Sequence, residues 1–271
     1  MNILLLGGTA DARIFASRCF DEGLFNKTRE HRLIYSVAGL VRQPDVPCEV
    51  ISGGFTQYGG LAHYIESHYI DLVLDMTHPY AKKMSETAVD VCGRLSVPCL
   101  RFVRKAWSVE AGDRWVDVQN WDQVCGYAAP YRNILLSVGQ VSDAQLQQLK
   151  TATQSRILLR TAATPRITLH NKYPDEILWV KGIGPFDYAS ELQLLTEHQI
   201  DLVVSKNSGG ESTYAKIAAA RQLGVPVVMM QRPTVTLPKL VMNDLESCLT
   251  GLKSMLQNYL PCKSATPERF N

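Results

Sequence analysis

Short runs of apolar, often β-branched residues recur along the chain, separated by longer stretches in which apolar positions return every three or four residues. That alternation is expected of a parallel sheet covered by helices. The runs at 2–6, 33–37, 49–51, 72–75 and 98–102 predict strands. The periodic stretches at 10–22, 60–68 and 80–95 predict helices, with Gly23 and Gly93 where a helix weakens or stops. After Phe102 the pattern lapses into Val103-Arg104-Lys105-Ala106-Trp107-Ser108, which reads as the crossing between two lobes, and a short strand follows at 114–118. A second series begins with strands predicted at 133–137, 156–159, 177–180, 202–205 and 225–230, and helices at 142–150, 187–198 and 213–223. A final helix at 245–259 precedes a polar tail.

Two such series predict an α/β fold of two Rossmann-like lobes with mainly parallel sheets facing across a cleft. The expected boundaries are 1–130, 131–260 and a flexible tail over 261–271. A length of 271 residues suits this division, since single cores stop growing near that size. The chain is 46% hydrophobic and 20% charged, the balance of an ordinary globular protein. A net charge of +2 without a basic run argues against nucleic acid as a partner. The 7 cysteines form an odd set with no C-x-x-C spacing, so neither a disulfide framework nor a metal site is expected. The apolar start meets Gly7-Gly8 at once, without the basic region or cleavage site of a leader. No window approaches the ~20 apolar residues needed to cross a bilayer, so no membrane association and a cytoplasmic location are expected.

Ligands of open α/β sheets bind beyond the carboxyl ends of the strands, where this sequence places its polar clusters. The first strand runs into Gly7-Gly8-Thr9-Ala10-Asp11-Ala12-Arg13, a glycine turn opening a helix, which suits a dinucleotide pyrophosphate. It departs from G-x-G-x-x-G/A at Thr9, and a plain strand-to-helix turn is the competing reading. The second strand ends Tyr35-Ser36-Val37-Ala38-Gly39 with no carboxylate to hold a ribose diol or repel a 2'-phosphate. Ser36, Arg13 and Arg42 are within reach of such a phosphate, which favours NADPH while leaving NADH possible. Gly53-Gly54-Phe55-Thr56-Gln57-Tyr58-Gly59-Gly60 reads as a flexible rim, or as a wide turn.

The fourth strand delivers Asp75, Thr77, His78 and Tyr80 together at its end, with His78 and Tyr80 as candidate proton donors and Thr77 as a cofactor contact. In the second series, Ser205-Lys206-Asn207-Ser208-Gly209-Gly210 precedes a helix and forms a candidate anion site. It lacks the order of an ATP-binding loop, so its anion can equally be a carboxylate. Arg101, Arg104 and Arg232 follow strands and join it as candidate substrate-binding cations, although any one of them can instead form a surface ion pair.

Taken together, Leu6-Gly7-Gly8-Thr9 with Asp11-Ala12-Arg13, Ser36-Val37-Ala38-Gly39, Gly53-Gly54-Phe55, Thr77-His78-Pro79-Tyr80-Ala81, Val204-Ser205-Lys206-Asn207-Ser208-Gly209-Gly210 and Arg232-Pro233 resemble the motif series of precorrin-6A reductases of corrin biosynthesis. The resemblance implies hydride transfer from a reduced nicotinamide to one double bond of the precorrin-6A tetrapyrrole, giving precorrin-6B. It also implies that the first lobe holds NADPH and that the second binds the carboxylate-bearing macrocycle. A cobalt-containing substrate reduced with NADH, an S-adenosylmethionine-dependent methyltransferase and a dinucleotide-sensing module are the rival readings.

Overall fold

The computed structural model describes residues 1–25, 31–39 and 44–259. The chain divides into two units, Met1–Val103 with the chain from Val235 onward, and Arg104–Thr234. The first unit runs β1 (Asn2–Leu6), α1 (Ala10–Asp21), β2 (Arg32–Val37), β3 (Glu49–Ser52), α2 (Leu61–Ser67), β4 (Leu72–Asp75), α3 (Lys82–Leu95) and β5 (Cys99–Phe102). The second holds β6 (Trp115–Val118), α4 (Trp121–Ala128), β7 (Asn133–Ser137), α5 (Asp143–Ala152), β8 (Arg156–Thr161), α6 (Leu169–Lys172), β9 (Ile177–Lys181), α7 (Tyr188–Glu197), β10 (Leu202–Lys206), α8 (Ala215–Gln222) and β11 (Val227–Met230). The chain then returns to the first unit with β12 (Leu240–Met242) and α9 (Leu245–Gln257).

Each unit is built on a six-stranded, all-parallel sheet, ordered β3-β2-β1-β4-β5-β12 in the first and β9-β8-β7-β10-β11-β6 in the second. Both follow the doubly wound order in which connections reverse direction beside the first strand. The switch points lie between β1 and β4 and between β7 and β10. Strand alternation buries both faces of these central strands. Ile3 and Leu5 enter one core with Phe15, Cys19 and Leu252, while Leu4 and Leu6 enter another with Tyr64, Ile65 and Val91. In the second sheet Ile134 and Leu136 face Leu146 and Leu149, and Leu135 faces Leu195 and Ile217.

The units divide elsewhere than at the expected 130/131. β6 precedes that point yet pairs with β11, placing Val118 in the second unit's core. β12 pairs with β5, and α9 buries Cys248, Leu249 and Leu252 against α1. The expected tail over 261–271 lies outside the described residues. Among the described residues no helix is long and apolar enough to cross a membrane.

Candidate active site

At the first switch point the chain leaves β1, turns through Gly7, Gly8 and Thr9, and enters α1. Tyr35, fully buried on β2, fills the space beneath this turn. A Cβ on Gly7 would overlap its ring, and its phenol oxygen accepts the Gly8 N–H at 3.1 Å. Burial holds the Tyr35 phenol above its ordinary pKa. Gly8 has φ +97°, which side chains rarely adopt, and it stands exposed with open space where a Cβ would lie. Thr9 caps α1 by accepting the Ala12 N–H at 3.1 Å, and its hydroxyl donates to the Met76 carbonyl at 3.0 Å, tying the turn to the segment after β4. Among the described residues the N–H groups of Thr9 and Ala10 have no hydrogen-bond partner, as the first donors of a helix do not. An open turn with two available donors at the positive end of α1 fits a dinucleotide diphosphate.

Asp11 stands in the first turn of α1. Arg13, half-buried on the same helix, forms no ion pair among the described residues, and its charge lies close enough to Tyr35 to pull that phenol's pKa downward. Ser36, buried one residue before the end of β2, accepts the Gly7 N–H on its carbonyl at 2.8 Å. Ala38 and Gly39 are exposed beyond it, while Arg42 lies outside the described residues. The Gly53 N–H donates to the Val37 carbonyl at 3.0 Å, and Gly54 leads into a 3-10 turn, Phe55–Tyr58. Of the two readings, flexible rim or wide turn, the stretch forms a turn, anchored where the Phe55 and Tyr58 rings meet Tyr64 of α2 edge-on at 5.3 and 5.2 Å. Its glycines were legible, whereas the aromatic contact that anchors it is made with the following helix.

After β4 the predicted cluster separates into two roles. Asp75 is buried opposite Arg101 of β5, with Oδ2 3.4 Å from Nη1, and accepts both the N–H and the hydroxyl of Thr77 at 3.1 and 2.7 Å. Thr77 also contacts the Ser85 hydroxyl at 3.2 Å. Arg101 and Thr77 therefore stitch β4, β5 and α3 together. His78 and Tyr80 instead lie in a half-buried turn that delays α3 from the expected residue 80 to Lys82. The Tyr80 N–H donates to His78 Nδ1 at 3.3 Å, so the proton of a neutral His78 imidazole sits on Nε2.

At the second switch point β10 delivers Ser205, fully buried, and Lys206, whose pKa burial depresses. The next turn is braced against residues 104–108. The Asn207 amide accepts the Trp107 N–H at 2.9 Å and donates to the Trp107 carbonyl at 3.0 Å. Arg232 donates to the carbonyls of Asn207, Arg104, Ser208 and Lys105 at 2.8, 2.7, 3.1 and 3.3 Å. A Cβ on Gly209 would overlap the Lys105 carbonyl, and one on Gly210 would lie 2.9 Å from the Arg104 guanidinium. Arg104 donates to the Gly209 carbonyl at 3.3 Å, and the hydroxyls of Ser208 and Thr213 are 3.1 Å apart. Lys206 leads into this turn and Arg104 donates to it at Gly209, Arg232 and Asn207 brace it, and Arg101 belongs to the other unit.

Several neighbours escaped the sequence reading. Ser137, at the end of β7, accepts a hydrogen bond from Arg160 at 3.3 Å. Arg160 is ion-paired with buried Glu191 and stacks on Phe186 at 4.3 Å. Lys216 is buried beneath Trp107. One signal was available: the strand ending at Ser137 runs into Gly139 just as the first strand runs into Gly7-Gly8. The burial of Arg160, Glu191 and Lys216 depends on partners far along the chain and left no local mark.

A family model described as precorrin-6x reductase CbiJ/CobK matches residues 2–253. A precorrin-6A reductase from Sinorhizobium sp is 35% identical over 85% of this chain and 84% of its own length. One from Rhodobacter capsulatus is 33% identical over 98% of both. A cobalt-precorrin-6A reductase from Priestia megaterium is 24% identical over 86% of this chain and 91% of its own. Among solved structures, CobK precorrin-6A reductase superposes with a TM-score of 0.78 at 32% identity, covering 94% of this chain and 97% of that one.

Proposed function

The chain belongs to the precorrin-6x reductase CbiJ/CobK family, and from that premise we propose that it reduces one double bond of precorrin-6A with NADPH to give precorrin-6B. Membership makes it a reductase acting on a carbon–carbon double bond, which removes the methyltransferase and sensing-module readings. It implies a nicotinamide dinucleotide, and the observation that carries our assignment is the open Gly7–Thr9 turn at the first switch point. A bound reduced nicotinamide supplies the hydride.

In this reading the Thr9 and Ala10 N–H groups and the positive end of α1 hold the diphosphate. Arg13, with no acidic side chain at the end of β2 to oppose it, pairs with the 2'-phosphate, which selects NADPH over NADH. His78, its ring fixed by the Tyr80 N–H on Nδ1, and Tyr80 line the place where the ring carbon beside the one that receives hydride takes its proton. Lys206 and Arg104 bind acetate and propionate carboxylates through charge-assisted hydrogen bonds, oriented by Asn207 and Arg232. We assign the cobalt-free macrocycle because the relatives named for it resemble this chain more than the one named for the cobalt form does. We place the enzyme in the cytoplasm with its substrate.

Fluorescence titration with NADPH, NADH and S-adenosylmethionine tests the cofactor assignment. We expect NADPH to bind at least about tenfold tighter than NADH, given the ~1.5 to 3 kcal/mol of a charged hydrogen bond, and S-adenosylmethionine not to bind. Equal affinity for the two dinucleotides would remove the 2'-phosphate assignment.

A further inference from the structure

Lys216, in the first turn of α8, is 3% exposed, and no role above uses it. Its Nζ donates to the Thr213 carbonyl at 2.8 Å and lies 4.9 Å from the centroid of the Trp107 ring. Both contacts bear on the cationic turn. Trp107 is clamped through its backbone by Asn207 and packs on Tyr214 at 5.6 Å, while the Thr213 hydroxyl meets that of Ser208. One ammonium thus touches both chain segments that shape the turn, 104–108 and 207–213.

The charged groups facing it are Arg160 from β8 and Glu191 from α7, which are ion-paired to each other. Behind Trp107 and Tyr214 lie Glu110 and Arg221, joined through the Tyr214 hydroxyl at 2.6 Å each. Burial foremost pushes the Lys216 pKa down to about 7, Arg160 adds to the fall and Glu191 opposes it. The ammonium is therefore present below neutrality and lost above it, and with it goes the attraction to the indole face.

We propose that Lys216 is a positioning residue: protonated, it draws Trp107 and the Thr213 carbonyl together and holds the 207–213 turn in its substrate-accepting form, which loosens when the proton leaves. The inference rests on the reading of that turn as the carboxylate site.

The test compares KM and kcat for precorrin-6A at saturating NADPH, from about pH 6 to about pH 8.5, in the wild type, K216R, K216M and K206A. Intrinsic fluorescence of the free enzymes is followed in parallel, with W107F as control. We expect the wild-type KM to rise about tenfold across this range at constant kcat. K216R, which stays charged, should hold the low KM throughout, and K216M should show the high KM at every pH. K216M should keep the fold, because exchanging a buried charge for an apolar chain of similar size is near neutral. A fluorescence step near neutrality should appear in the wild type and be absent from K216M and W107F. A wild-type KM and pH profile in K216M while K206A raises KM would overturn the positioning role alone. An unchanged KM in K206A would overturn the carboxylate site, and the positioning role with it.

Discussion

Tyr35 and the two glycines above it act as one device. The ring occupies the space a side chain at residue 7 would need, and the phenol oxygen takes the Gly8 N–H, while the donors of Thr9 and Ala10 have no partner among the described residues. Gly7→Ala should therefore lower NADPH affinity more than tenfold, whereas Tyr35→Phe, losing one hydrogen bond of about 1 kcal/mol, should cost stability and leave affinity near wild type. Equal NADPH affinities in calorimetric titrations of Gly7→Ala and the wild type would contradict this reading. Arg13→Ala should weaken NADPH about tenfold and NADH hardly at all. His78→Ala should lower kcat more than about tenfold, because the imidazole lines the path by which the proton reaches the ring carbon. The glycine turn could be read from the sequence because its residues are adjacent. Its dependence on Tyr35 could not, because that contact spans two strands and a helix.

Among the secondary elements, charge placement separates scaffold from site. Arg101, which resembles a substrate cation when read along the sequence, lies against Asp75 across β4 and β5, both nearly inaccessible. Breaking a buried pair by removing one partner costs about 3 to 5 kcal/mol, so Arg101→Met should lower the melting temperature sharply and leave KM near wild type. A raised KM at unchanged stability would instead restore Arg101 to the substrate. Lys216 adds a pH-dependent term to folding. Its folded pKa of about 7 lies below the ordinary 10.5, so between these values the unfolded chain binds more protons and stability rises with pH. Stability is correspondingly lost as pH falls through about 7, and denaturant melts of K216M should lack that contribution. Central strands such as β1, β4, β7 and β10 were legible because they are apolar on both faces. The three-residue β12 carries little pattern; β6 was legible as the strand at 114–118, but no local sequence feature states which sheet an edge strand joins.

At the scale of the molecule, the two sheets repeat one strand order; the edge strand of the first, β12, follows the whole second unit in sequence, and that of the second, β6, precedes the rest of its own sheet. A fragment of 104–234 contains its complete six-stranded sheet and should melt cooperatively on its own. A fragment cut at the sequence-based boundaries, 131–260, would lack β6 and α4 and carry α9 without its core, and should aggregate. Cooperative melting of 131–260 by circular dichroism would argue against the division at 103/104. The repeat puts the two turns we propose for cofactor and substrate at equivalent places: Gly7–Thr9 follows β1 beside the first switch point, and the turn after Lys206 follows β10 beside the second. The measurement that reaches the central claim most directly is a single anaerobic turnover of precorrin-6A with NADPH carrying deuterium at the transferring position of the nicotinamide. We expect the macrocycle to gain two hydrogens, one of them that deuterium. A reduced macrocycle without the label, or no reduction, would contradict hydride transfer by this chain.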